Sequence, residues 1–281
     1  MPVTQSTTAI VTGAAGALGR AVASALAARG ATVVITDRDE AVRELAEKLG
    51  PHVVAEVGDV ADVDSAARAV GAALGRGGRI DVLINNAALA PWADISESAD
   101  VALAMVDETW ASNVRGTVVY AELVKQHMVT AGTGHIVNIS TEHGHNCGWP
   151  SPIDHANIPH CPFRASPRGP FSPIPALWVY DMTKWALNGL TFNWARALRP
   201  HGIAVNNVCP GTFDSPDLRE FVSEFAETLP DWDQVLLPVD VVAGVVLDLL
   251  DEQPRRSGDN VGLWCGHPAE LPPPGPHALV L

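Results

Sequence analysis

Residues 180–184 read YDMTK, and Tyr180 is one of only two tyrosines in the chain. On a helix, positions four apart lie one turn apart on the same face, so the phenol of Tyr180 and the ammonium of Lys184 would be neighbours. A phenol beside a cation is a candidate acid/base pair. An ordinary tyrosine has a pKa near ~10 and needs about three units of help, ~4 kcal/mol, to work near neutral pH. A charge at ~4 Å supplies about 1 kcal/mol in water but about 4 kcal/mol at an effective dielectric near ~20. The pair therefore predicts a sheltered site in which Lys184 eases the ionisation of Tyr180. The same spacing also fits a plain surface helix, so the surrounding elements must decide.

The chain has 281 residues, 47% of them apolar, enough for a core without staples. A net charge of −14 argues against nucleic acid and against an anionic membrane surface. The amino terminus, MPVTQSTTAIVTG, lacks the basic region and apolar run of a signal peptide. The apolar stretch VVAGVVLDLL is too short to span a bilayer. Four cysteines in a chain of this length do not make a disulfide framework. Together these features predict a cytoplasmic protein with reduced thiols.

Strand-like runs occur at 7–12, 32–36, 52–57, 81–85, 135–140, 204–208 and 262–265. Between the first two, Leu18, Val22 and Leu26 form a helical stripe, and 39–49, 62–75 and 101–130 read as helices. A further helix runs from about Ala176 to Arg199 and stops at Pro200 and Gly202. This alternation predicts an α/β protein: one Rossmann-like, doubly wound parallel sheet with helices on both faces, in a single domain over 1–281. Residues 142–177 break the rhythm with eight prolines, four histidines and two cysteines, and predict a long inserted loop. The proline-rich tail, about 266–281, predicts an irregular extended end.

The first strand runs into TGAAGALG (12–19) and then a helix. Small residues let backbone approach a pyrophosphate, and the helix N-terminus offers N–H groups and a positive dipole end. Asp37, at the end of the second strand, stands where a carboxylate holds a ribose 2′-OH and repels a 2′-phosphate. That favours NAD over NADP, although the neighbouring Arg38 could accept the phosphate. Asp37 would equally serve as an ordinary N-cap.

With these features in order, the chain resembles the short-chain dehydrogenase/reductase family from about Thr8 to Cys265. TGAAGALG is similar to the family's TGxxx[AG]xG turn, with Gly13, Ala17, Leu18 and Gly19 as cofactor contacts. Asp59 and Val60 resemble the pair that flanks adenine. NNAA (85–88), containing Asn86 and Ala87, resembles the NNAG segment, with Ala88 in place of glycine. Asn113 resembles the family's helix asparagine, NIST (138–141) its NxSS segment, YDMTK its YxxxK pair, and Pro210–Gly211 its PG turn. Ser215 falls where a threonine often contacts the cofactor's carboxamide.

The resemblance implies hydride transfer between NAD and a secondary alcohol or ketone. Tyr180 would be the acid/base, Lys184 would also hold the ribose hydroxyls, and Thr141 or Ser140 would hydrogen-bond the substrate oxygen. Asn113 would hold a water that relays protons. As plain structure, Asn113 would satisfy a helix kink, and Ser140 and Thr141 would cap a strand end. The family's active serine is here Thr141, and 39 positions separate it from Tyr180 where relatives have about a dozen. Adjacent on a strand, Ser140 and Thr141 face opposite ways, and the alignment puts Thr141 toward the substrate.

The inserted loop would form a lid with Trp149, Phe163 and Phe171 as walls. Arg164 and Arg168 could meet a substrate anion or simply be solvated. His and Cys residues in HGHNC (143–147) and HANIPHC (155–161) match no zinc spacing, so no metal is expected. A homodimer or homotetramer is expected through helices 101–130 and 176–199, the latter carrying Trp185, Phe192 and Trp194. The competing class is a nucleotide-binding regulator or scaffold without turnover; an epimerase or dehydratase resembles longer relatives.

Overall fold

In a computed structural model the described residues are 2–94, 96–142, 177–223, 236–263, 270–275 and 278–281. The lid residues, Arg164, Arg168 and the His/Cys segments of 143–161 lie outside them.

The chain alternates β1 (Thr8–Thr12), α1 (Ala17–Ala28), β2 (Thr32–Asp37), α2 (Ala41–Leu49), β3 (Val53–Val57), α3 (Val63–Gly77) and β4 (Val82–Asn85). There follow α4 (Ala99–Trp110), α5 (Thr117–Ala131), β5 (Gly134–Ile139), α6 (Trp178–Leu198), β6 (Ile203–Pro210), α7 (Pro216–Ser223) and α8 (Val239–Asp251). Three short strands end it: β7 (Arg256–Ser257), β8 (Asn260–Leu263) and β9 (Leu279–Val280). The main sheet runs β3-β2-β1-β4-β5-β6-β8, and every pairing in it is parallel. The expected doubly wound α/β sheet is therefore what these residues build.

Alternation along the strands feeds two apolar layers, as a sheet buried on both faces requires. Ala9, Val11, Val33, Ile35, Val82 and Ile84 pack toward α1, α2 and α8. Ile10, Val34, Leu83 and Ile136 pack toward α3, α5 and α6. Helix ends follow local chemistry: Asp62 caps α3, its carboxylate accepting from Ser65 N at 2.9 Å.

Two elements differ from the expectation. The helix expected over 101–130 is α4 and α5 joined by one wide π turn, Ala111–Gly116. The tail, expected to be irregular, ends in β9, which pairs antiparallel with β7. The tail prolines stop short of this segment, so its amides are free to pair, and Leu281 N bonds Arg255 O at 2.9 Å. Helix α8, an apolar stretch in the sequence, buries Val242, Val245, Val246, Leu249 and Leu250 against α1 and the sheet.

Candidate active site

The parallel strands all end on one edge, and the expected site residues collect there. Gly13 has φ +66, a conformation that disfavours any side chain. A Cβ on it would stand 2.6 Å from Ala87 Cα, and one on Gly19 would stand 2.2 Å from Gly13 O. The turn is therefore folded tightly on itself and pinned from behind. Asn86 Nδ2 donates to Thr12 O at 3.0 Å and to Gly13 O at 2.9 Å, and Ala87 N donates to Thr12 Oγ1 at 3.1 Å. Asn86 and Ala87 thus support the turn. Leu18 contributes only backbone toward a ligand, because its side chain is buried in the core. Helix α1 follows its N-cap Gly16 with no side-chain cap and no acidic residue in its first turn. Open amides, a positive dipole end and small neighbours fit a pyrophosphate.

Asp37 ends β2 beside this turn. Its carboxylate accepts from Ala15 N at 3.0 Å and Asp39 N at 3.1 Å, which fixes its direction and leaves lone pairs for a donor. Arg38 is exposed. Asp59 is exposed and caps its own turn through Ala61 N at 2.7 Å, while Val60 is buried against Gly116. These residues line one path from the Gly-rich turn outward along β2 and β3, a fit for an adenosine.

The second group is built on β5, β6 and α6. Thr141 is hydrogen-bonded to the Tyr180 phenol, whereas Ser140 turns the other way. Ser140 Oγ donates to Lys184 O at 3.3 Å. Lys184 is 2% exposed, yet it donates to Ile139 O at 2.6 Å and stands 5.4 Å from the Tyr180 ring centre. Burial pushes the Tyr180 phenol above its ordinary range, against a lowering hydrogen bond from Thr141. Burial also draws the Lys184 ammonium down to about 8. The shelter expected of the site is present, but desolvation of the phenol outweighs the lowering hydrogen bond from Thr141. This reverses the direction expected from the Coulomb sum, which left desolvation out.

Asn113 sits in the π turn, where a bulge loosens the helix ladder. Its Oδ1 accepts from Leu89 N at 2.7 Å, and Nδ2 donates to Leu89 O and Thr183 Oγ1, each at 2.9 Å. The carboxamide ties the segment after β4 to α6, with both of its amide hydrogens taken. Pro210 and Gly211 are buried at the end of β6, with Gly211 N bonded to Leu263 O at 2.5 Å. Ser215 caps α7, accepting from Leu218 N at 3.1 Å, with Pro216 in the first helical position.

Residues that the sequence reading passed over hold α6 in place. The register sets Asn85 beside Asn138, Asn138 beside Asn207, and Asn207 beside Asn260, one row across four strands. Asn85 Nδ2 donates to Asn138 Oδ1 at 2.9 Å, and Asn138 Nδ2 to Thr191 Oγ1 at 2.8 Å. Thr191 Oγ1 donates to Asn207 Oδ1 at 2.6 Å. Asn207 Nδ2 donates to Asn188 Oδ1 and Asn260 Oδ1, each at 2.8 Å. Asn188 and Thr191 lie one and two turns beyond Lys184 on α6, so the row sets the height of Tyr180 over the sheet edge. The signal was an asparagine inside the apolar strand-like runs at 85, 138 and 207, a costly place for a polar group unless it has partners.

The sequence pattern of the short chain dehydrogenase family matches residues 7–151 and 164–226. The chain belongs to the short-chain dehydrogenase/reductase family. The gap between the matched stretches, 152–163, falls within the loop read as inserted. The chain is similar to a sorbitol dehydrogenase of Cereibacter sphaeroides, 34% identical over 227 residues, covering 79% of this chain and 77% of that one. It is similar to an L-xylulose reductase of Bos taurus, 31% identical over 212 residues, covering 74% and 72%. Among solved structures, a 3-ketoacyl-(acyl-carrier-protein) reductase from Brucella melitensis complexed with NADH superposes with TM-score 0.73 at 25% identity, covering 92% and 97%. This short-chain dehydrogenase/reductase is an oxidoreductase of alcohol and ketone substrates, of a family that binds a nicotinamide cofactor. Among the described residues no group of three or more His, Cys, Asp or Glu could hold a metal, and no helix is long and apolar enough to cross a membrane.

Proposed function

We propose that the protein interconverts a secondary alcohol of a small polyol-like molecule and its ketone, using NAD. The observation that carries the reading is the Thr141–Tyr180 hydrogen bond with the Lys184 ammonium beside the phenol ring. The nicotinamide, when bound, accepts or supplies the hydride. Tyr180, kept protonated by burial, gives its proton to a carbonyl oxygen in reduction and takes one back in oxidation. Thr141 donates to the same oxygen and steadies charge that develops on it. Lys184, drawn down to about 8 by burial, still favours its charged form at pH 7 and can donate to ribose hydroxyls. Asn113 positions α6 through Thr183; with both amide hydrogens taken, it can meet a relay water only through the remaining lone pairs of its oxygens.

Asp37 supports NAD over NADP: its fixed carboxylate can accept two ribose hydroxyls and repels a phosphate. The sugar-alcohol relatives support a hydroxylated substrate. Trp185 and Phe192 on α6 and Trp110 on α4 are 42%, 43% and 41% exposed, which supports a dimer or tetramer through these helices. The free, buried thiol of Cys209 suits a cytoplasmic setting. The test is absorbance of reduced cofactor with NAD or NADP and a panel of sugar alcohols, beside light scattering at micromolar concentration. Reduction of NAD with at least one sugar alcohol, from a dimer or tetramer, is expected. No turnover with either cofactor would return the scaffold reading.

A further inference from the structure

We infer that a monatomic anion of the halide class binds in a small cavity at the amino edge of the sheet, accepting a hydrogen bond from His135 Nδ1 beside the Arg255 guanidinium. The site lies at the opposite edge from Tyr180 and does not depend on the reaction proposed above. The cavity has a volume of about 20 Å³ and is walled by Thr7, Asp81, Thr133, His135, Leu250 and Arg255. One water needs roughly 10–15 Å³, so a single occupant the size of a water or a halide fits and a polyatomic ion does not. His135 is 4% exposed and stands two residues before Val137 on β5, so both side chains share one face of the sheet. Val137 packs in the layer that holds Leu250 of α8. Asn206 orients the ring. Its Oδ1 accepts from Asp259 N and its Nδ2 donates to Arg256 O, so Nδ2 also supplies the hydrogen at His135 Nε2, 2.9 Å away. The neutral ring then carries its own hydrogen on Nδ1. Among the described residues that buried N–H has no acceptor. A buried donor left unpaired costs the desolvation of the group, so the ring calls for an acceptor.

The walls decide which acceptor fits. Arg255 donates through Nη1 to Thr133 Oγ1 at 3.4 Å and Gly134 O at 3.1 Å, and through Nη2 to Gly202 O at 2.9 Å. A guanidinium has more N–H groups than these three bonds use. Thr133 accepts from Arg255 and keeps its hydroxyl hydrogen to donate. The carboxylates of the neighbouring elements are engaged elsewhere. Asp81 Oδ2 accepts from Thr8 N at 2.9 Å, and Oδ1 lies 2.5 Å from Arg79 Nη2 in a contact of charges without hydrogen-bond alignment. Asp251 accepts from Val3 N at 2.8 Å and pairs with Arg29, while Glu252 and Asp259 clasp Arg256. Among the described residues Arg255 therefore has no carboxylate partner, although its head group is half-buried, where a charge is costly unless it is paired. Its charge also opposes protonation of the ring. A water would meet the Nδ1 hydrogen, but its own hydrogens would face further donors and a cation. An anion accepts from each of them and balances the charge. Only the folded chain builds this cavity, so the anion stabilises the fold by mass action and ties β5 to Arg255.

The experiment follows urea unfolding of the whole protein in sodium chloride and in sodium gluconate, at equal ionic strength and neutral pH, in wild type, Arg255→Gln and His135→Phe. Gluconate is too large for the cavity, so each protein in gluconate is its own baseline. Chloride is expected to lower the wild-type unfolding constant at least about fivefold relative to gluconate, and the gain should rise with chloride concentration. In either variant the gain should fall below about twofold. A smaller gain in wild type overturns the inference, as does a gain of about fivefold in either variant, which would put the anion elsewhere. Should the variants fail to fold by circular dichroism, anomalous diffraction from wild-type crystals soaked in sodium bromide decides. A bromide peak within hydrogen-bond distance of His135 Nδ1 is expected. A water only, with no anomalous peak there, overturns the inference.

Discussion

Both edges of the seven-stranded sheet bury ionisable groups, and both push them toward neutrality. At the amino edge, burial takes His135 on β5 down to about 3, with the charge of Arg255 adding to it. At the carboxyl edge, burial takes Lys184 to about 8 and raises Tyr180. The edges differ in how they close. Asn206 Oδ1 accepts from Asp259 N at 3.1 Å and Nδ2 donates to Arg256 O at 3.0 Å, so the same Nδ2 makes His135 Nε2 an acceptor at 2.9 Å. Arg255 donates to Gly134 O and Gly202 O, and Arg256 is clasped by Glu252 and Asp259. Apart from His135 Nδ1, which is buried without a hydrogen-bond partner among the described residues, these groups of the amino edge close on protein partners. The carboxyl edge leaves α1 uncapped and Asp37 and Tyr180 half-buried. A perturbed pKa therefore marks a site here where several directed groups also converge and stay open to a ligand.

The sharpest break of this contrast is Tyr180→Phe against His135→Gln. Removing the phenol oxygen should lower turnover at least about a thousandfold, within the range of general acid/base catalysis, with NAD affinity within about threefold. His135→Gln should leave turnover within about threefold. Steady-state absorbance and fluorescence titration read both. Equal losses in the two variants would mean that the amino edge belongs to the chemistry.

Within the carboxyl edge, Thr141→Val should cost about a hundredfold in turnover, ~3 kcal/mol, the scale of one lost donor to a developing oxyanion. Ser140→Ala removes a bond to the Lys184 carbonyl and should lower the melting temperature more than the rate. The reverse pattern would put Ser140 at the substrate oxygen.

The amino edge has its own signature in stability. Unfolded His135 binds a proton near 6.5, whereas in the folded chain it does so only near about 3. Between those values the unfolded state holds more protons, so this contribution is full above about pH 6.5 and is lost as pH falls, about 1.4 kcal/mol per unit. From pH 6.5 to 4.5 the wild type should lose about 2–3 kcal/mol more than His135→Gln. Urea midpoints at the two pH values measure this, and parallel slopes would show that the ring is not held neutral.

The smallest effect tests the open end of the nucleotide path. Wild type should bind NAD at least about tenfold tighter than NADP, ~1.4 kcal/mol, and Asp37→Ser should shrink that ratio below about threefold. Equal binding in wild type would put the exposed Arg38 ahead of Asp37.

The elements closest to the nucleotide path were the most legible. Gly13, Gly19 and Asp37 act through backbone geometry and short-range bonds, and their order along strand, turn and helix carries most of that information. The row of asparagines was not read, although Asn85, Asn138 and Asn207 were all visible in strand-like runs. Its meaning depends on strand register, which brings together residues 53 and 69 positions apart in Asn138→Asn85 and Asn207→Asn138. Ser215, expected at the cofactor by resemblance, also caps α7, a role that the Ser-Pro order at the helix start signals locally.

By itself the sequence determined the parallel sheet, because β-branched runs alternating with helical stripes can bury their apolar faces in few other ways. It also determined which residues were candidates, through the Gly-rich turn, Thr141 and the Tyr180–Lys184 spacing. Only the tertiary structure decided that Thr141 rather than Ser140 meets Tyr180, that the tail closes as a strand on β7, and that Asn113 is occupied with Leu89 and Thr183. It also decided the sign of the perturbation at Tyr180. A Coulomb pair can be written from spacing, but desolvation depends on what packs around it, and the packing at Tyr180 and Lys184 comes from strands far away in the chain.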